Sequence, residues 1–153
     1  MAFFDAMNVS ATGLTAQRLR MDLISENIAN VNTTRTIQGG PFRRKAPLFQ
    51  EIQETPFGML MRDTLGDDGI RRSAPLGMGV RVTNVVQCST PGPMIYDPSH
   101  PDANAEGYVQ MPNVNIVEEM VNMISASRSY EANITAINTS KAMMSRTLEI
   151  ARG

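Results

Sequence analysis

Residues 113–153 read NVNIVEEMVNMISASRSYEANITAINTSKAMMSRTLEIARG, and their spacing decides the fold. Steps of four and three pick out Ile116, Met120, Met123, Ser127, Tyr130, Ile134, Ile137, Lys141, Met144, Leu148 and Ala151. Nine of these eleven positions are apolar, and no Gly or Pro falls between Asn113 and Arg152. A mean repeat of 3.5 residues keeps one narrow seam turned toward a partner helix, which is the coiled-coil pattern. The stretch predicts a helix of roughly 50 Å at 1.5 Å per residue, longer than a small core can cover. Its start is marked by Pro112 and by Asn115 with Glu118 three residues on, a capping-box spacing. Glu118 and Glu119 in the first turn, with Arg146 and Arg152 near the end, complement the helix dipole.

A partner is available at the other end of the chain. Phe3, Met7, Ser10, Leu14, Gln17, Met21, Ile24, Ile28 and Val31 follow the same steps, and Phe4, Ala11, Ala16 and Leu23 widen the face. Gly13 costs about 1 kcal/mol against Ala inside a helix, which predicts a kink or fraying before Leu14. Asn27, Asn30 and Asn32 crowd the end of the pattern and predict a stop between Ala29 and Asn32. Asn tolerates the left-handed conformation that ends helices. A chain that leaves through one helix and returns through the other packs them antiparallel.

Between the helices the composition changes. All nine prolines and nine of the eleven glycines lie in residues 33–112, a density that favours strands and turns over long helices. Leu48–Ile52 and Gly79–Val86 are the best strand candidates. Gly66-Asp67-Asp68-Gly69 reads as a turn, and Gly92-Pro93 and Asp97–Asp102 as ordered irregular loop or extended chain. The expectation is an α+β fold in three segments: an N-terminal coiled-coil helix over 1–32, a small β-rich and extended unit over 33–112, and a C-terminal coiled-coil helix over 113–153.

The totals exclude several functions. A net charge of −1 supplies no basic field for nucleic acid. The single cysteine, Cys88, cannot close an intrachain disulfide. The N-terminus lacks the basic and long apolar regions of a secretory signal, and no run is long enough to span a bilayer. Twelve methionines suit contacts with several non-identical neighbours, because the thioether side chain adapts its shape.

Chemistry is scarce. Asp97, His100 and Asp102 form the one cluster resembling a metal or acid–base site, in no defined ligand spacing. Arg43-Arg44-Lys45 could meet an acidic polymer or a partner's carboxylates, or could be a charged strand edge that discourages pairing. No catalytic residue, cofactor or metal is expected.

The two ends carry a signature. Ala11-Thr12-Gly13-Leu14, Gln17, Arg18 and Ser25–Thr33 resemble the N-terminal motif of the bacterial flagellar axial proteins, the rod, hook and hook-associated subunits. Met123, Ser125 and Ser127–Asn133 are similar to that family's C-terminal helix motif. In the middle, Gly40–Lys45, Tyr96–Asn104, Gly107-Tyr108-Val109 and Pro112–Asn115 are similar to its proximal-rod members. Glu26 departs from the pattern, which usually has Asn there.

This resemblance implies a non-enzymatic subunit that polymerises with itself and with other proximal and distal rod proteins into a tube crossing the periplasm, anchored on an export-gate or membrane-ring adaptor. It implies leaderless passage through the flagellar type III export apparatus into the basal body. The assembly interface expected on this basis is Leu14, Met21, Ile24, Ile28, Met120, Met123, Tyr130, Ile134, Ile137, Met144 and Leu148, with Asn27, Asn30 and Asn32 shaping the helix end. Two other readings remain: a metal-binding or enzymatic domain built on Asp97, His100 and Asp102, and a generic coiled-coil adaptor.

Overall fold

The two periodic stretches form the two long helices of the computed structural model, which describes residues 2–37, 39–52 and 78–152. Helix α1 spans Ala2–Ala29 and helix α2 spans Ile116–Arg152. Strands β1 (Lys45–Glu51), β2 (Val80–Gln87), β3 (Met94–Tyr96) and β4 (Tyr108–Gln110) lie between them in sequence as two two-stranded sheets, β1–β2 and β3–β4. The α+β expectation therefore holds, with both helices terminal and the strands between. The turn at Gly66–Gly69 lies outside the described residues.

Local chemistry accounts for the helix limits. Asn115 caps α2 by accepting the Val117 N–H at 3.0 Å, while its carbonyl takes the Glu119 N–H, so two orphan donors of the first turn are satisfied. At the other boundary Asn30 does the capping through its side chain. Its Nδ2 donates to the Glu26 carbonyl at 2.9 Å and its Oδ1 accepts the Thr33 hydroxyl at 3.1 Å. Among the described residues only glycines have positive φ, so the expected left-handed asparagine is not used. The side-chain amide satisfies the helix end without backbone strain.

Strand β1 starts three residues earlier than its sequence pattern suggested. Pro47 falls inside it because each strand of a two-stranded ribbon has one unbonded side, where a missing N–H is harmless. The ribbon is antiparallel, since the Cys88 N–H meets the Arg44 carbonyl and the Thr83 hydroxyl meets that of Leu48. β3 fills the gap between the two stretches expected as loop, Gly92-Pro93 and Asp97–Asp102, and β4 follows the second of them. Three residues per strand are too few to show a period. The pairing Met94–Gln110, Ile95–Val109, Tyr96–Tyr108 is set instead by Asn104, whose Oδ1 accepts the N–H groups of Glu106 and Tyr108. The Tyr96 and Tyr108 rings then meet edge to face with centroids 5.3 Å apart.

The residues cluster into two compact units to which both helices contribute. The first gathers 2–16, 49–52, 78–82 and 130–152. Here α1 runs unbroken through Gly13, and Asn133 Oδ1 lies only 3.1 Å from where a Cβ on that glycine would sit. The glycine expected to fray the helix is a close-packing site. Nearby, Thr12 Oγ1 accepts the Val80 N–H at 3.2 Å and donates to the Val9 carbonyl.

The second unit gathers 17–37, 39–48 and 83–129. Arg20 bonds Asn122 and Asn27 bonds Glu119, so α1 and α2 run antiparallel within it. Leu23, Ile24, Phe42, Val109 and Ala126 are its buried apolar residues.

Candidate assembly site

The covered face of α2 keeps the seven-residue repeat of the sequence, shifted in one of its two rows. Met123, Tyr130 and Ile137 are half-buried as the spacing implies. Their companion row is Glu119, Ala126, Asn133 and Ser140, not Met120, Ile134 and Lys141, which are exposed; Ser127, also in that expected row, is half-buried. The small and polar row faces inward because the contacts it makes are close or hydrogen-bonded: Asn133 over Gly13, Glu119 against Asn27, and Ala126 fully buried. Hydrophobic periodicity alone weights larger residues and so selects the neighbouring row.

On α1, Ile24 is buried and Leu14, Met21 and Ile28 are half-buried. Met120, Ile134, Met144 and Leu148 are exposed, and so is every residue from Lys141 to Ala151. The distal third of α2 has an exposed apolar row, uncovered among the described residues.

Within the second unit a buried polar cluster ties three segments together. Glu119 is 0 % exposed and Asn27 1 % exposed, the two largest fully buried side chains among those described. Glu119 Oε1 accepts from both Nε and Nη2 of Arg44 at 2.7 Å, and Oε2 accepts from Asn27 Nδ2 at 3.0 Å. Asn27 also pairs like a strand residue with Lys45, taking its N–H at 2.9 Å and giving Nδ2 to its carbonyl at 2.8 Å. The Arg44 N–H is held by Asn113 Oδ1 at 2.9 Å. A buried carboxylate is tolerated only when paired and fully hydrogen-bonded, and this one is both. The cluster joins α1, the start of β1 and the first turn of α2 in a single register.

Asn27, expected to shape a helix end, is therefore a buried clamp. Asn30 does cap the helix, and Asn32 is exposed. The basic run is largely consumed inside the chain: Arg44 by Glu119, and Lys45 by Glu26, with its ammonium 5.6 Å from the Phe42 ring centroid. Only Arg43 is exposed. Glu26, the family departure, is the ionic partner of Lys45. Both side chains reach water, so Lys45→Ala should shift the denaturation midpoint by less than about 1 kcal/mol. A larger loss in a urea titration would show the pair to be structural.

Glu119 and Arg44 were legible only as a first-turn acid and a basic run. Nothing in their own spacing pairs residues 75 positions apart. The side chains of Asp97, His100 and Asp102 turn to different partners. Asp97 Oδ1 accepts the Ser99 hydroxyl and N–H, which hold its carboxyl below the usual range. His100 Nδ1 accepts the Asp102 N–H at 3.1 Å, and Asp102 turns to the Thr34 hydroxyl at 2.8 Å and to Arg35. Among the described residues no three His, Cys, Asp or Glu side chains gather in a metal-binding group. Nor is any described helix long and apolar enough to cross a membrane.

Comparison with known proteins matches both helical ends. The family described as flagella basal body rod protein matches residues 7–35, and the family described as flagellar basal body rod FlgEFG protein C-terminal matches residues 105–150. The chain is 50 % identical to the flagellar basal-body rod protein FlgC of Borreliella burgdorferi over the whole of both chains. It is 44 % identical to that of Bacillus subtilis and 36 % identical to that of Salmonella typhimurium, covering 99 % of this chain and 100 % of each relative. Asn27 and Glu119 lie within the two matched segments, and Arg44 lies between them.

Proposed function

The chain belongs to the FlgC family of flagellar basal-body rod proteins and is a structural rod subunit; we propose on that premise that it polymerises through the unpaired row of α2. The observation that carries this reading is the mismatch between the helices. α2 has 37 residues and α1 has 28, so α2 is longer by roughly 14 Å at 1.5 Å per residue. Met144 and Leu148 stand uncovered on its far end. An apolar row of this kind is stabilised only when a neighbouring subunit's helix covers it.

The partners are further copies of this chain, other proximal and distal rod subunits, and the adaptor that joins the rod to the export gate and membrane ring. The tube would cross the periplasm, and the subunit would reach it through the flagellar type III export apparatus with its N-terminus uncleaved. The distal part of α2, already helical in the single chain, gains its apolar packing on assembly.

Leu148→Asp separates assembly from folding. Leu148 is 57 % exposed, so the purified variant should unfold within about 0.5 kcal/mol of the parent. In the rod the same carboxylate would be buried without a partner. The expected outcome is a folded protein and cells that neither build rods nor swim. Normal swimming by the Leu148→Asp strain would rule out the contact.

A further inference from the structure

A second feature is left unused by helix packing. The loop Thr36–Gly40 is closed by the Thr36 N–H on the Gly40 carbonyl at 2.9 Å and the Gly39 N–H on the Thr36 carbonyl at 3.0 Å. Gly39 and Gly40 have φ of 85° and 78°, which side-chain-bearing residues rarely adopt. The Thr36 hydroxyl adds a bond to the Gly40 carbonyl, and the Phe42 N–H bonds the Thr33 carbonyl across the loop's base. Ile37 follows the braced Thr36 and is 108 % exposed. Arg35 and Arg43, at the two legs, are exposed cations. Arg35 reaches Asp102 only at 3.8 Å.

The complementary surface lies on the outward face of the first turns of α2. Val117, Val121 and Ile124 recur at i, i+4 and i+7 as an exposed apolar stripe, Val117 at 70 %. Glu118 flanks it, also exposed. Arg128, a turn beyond Ile124, closes the stripe with a like charge that would repel Arg35 and Arg43, so a basic-legged loop can approach only at the Glu118 end.

We propose that Ile37 is the knob of a head-to-tail contact, seating on the Val117–Val121–Ile124 stripe of a second copy with Arg35 and Arg43 toward that copy's Glu118. Both surfaces are open on the single chain, so neither covers the other within it. Because knob and stripe are different patches, each contact leaves one of each free. Such contacts generate open helical arrays instead of closed dimers. The inference rests on the rod reading and names one of the contacts by which copies would meet.

The test is disulfide trapping in isolated basal bodies from cells whose chain carries Cys88→Ser. Ile37→Cys combined with Val121→Cys should give a ladder of cross-linked copies on mild oxidation, and neither substitution alone should. Arg35→Glu and Glu118→Arg should each reduce rod number, and the two together should restore it. Rods of normal composition without the ladder, or Ile37→Cys linking to a different rod protein, would overturn the contact and leave the rod reading standing. Absence of the unmodified chain from the basal bodies would overturn both.

Discussion

Glu119→Ala is expected to destabilise the purified chain by about 2–3 kcal/mol, because the carboxylate is fully buried while the Arg44 side chain it leaves behind is one-third exposed and regains part of its hydration. The substitution removes three bonds, two from the Arg44 guanidinium and one of the two made by Asn27 Nδ2, which keeps the Lys45 carbonyl. Since small domains have about 5–15 kcal/mol in total, the variant should lose a large share of its stability and unfold at a clearly lower temperature. Thermal unfolding followed by circular dichroism reads this directly. An apolar replacement of both partners, Glu119→Leu with Arg44→Met, should recover much of the loss, because no charge is then buried alone. If Glu119→Ala unfolds at the parent's midpoint, the cluster contributes nothing to stability. If the double variant is no better than the single, the loss does not come from the stranded charge.

Gly92→Ala is the second substitution expected to have a large effect. A Cβ on Gly92 would stand 2.0 Å from the Met111 carbonyl oxygen and 2.8 Å from the Pro112 carbonyl carbon. Both are backbone atoms, so no side-chain rotation relieves the overlap. The two segments are held together there by the Met111 N–H on the Pro93 carbonyl at 2.9 Å. Separating them breaks that bond and shifts Pro112 and Asn113, and Asn113 holds the Arg44 backbone. Overpacking typically costs about 1–3 kcal/mol, and the linked loss at Arg44 should bring Gly92→Ala to the top of that range. Hydrogen exchange should show faster opening of the Met94–Tyr96 and Tyr108–Gln110 amides. Unchanged protection at those amides would mean the backbone yields more easily than its packing indicates.

Much of the architecture could be read from spacing. The two helices, their antiparallel pairing and the strand-rich middle follow from where the apolar repeats run and where Gly and Pro are confined. Asn115 was readable as a cap because capping is local, spanning two residues. Other features were not. Gly13 looked like a defect in a helix because its value lies in Asn133, on the other helix. Arg44 and Lys45 looked like one surface run, yet their two carboxylate partners come from different helices. The inward row of α2 was displaced by one position, since Glu119, Ala126 and Asn133 are chosen for closeness and hydrogen bonding, which a hydrophobicity pattern does not weigh.

The sequence by itself determined that two long helices would carry apolar seams and that the C-terminal one would exceed its intramolecular partner. Periodicity and length are properties of the chain alone, and an uncovered seam already implies assembly. The motifs at both ends were likewise sufficient to point to the flagellar axial family. Only the tertiary structure decided which row of α2 turns inward and which stays exposed. It alone brought Asn27, Arg44 and Glu119 into one buried cluster, because pairing charges across 75 positions depends on the register of packed helices and not on local spacing.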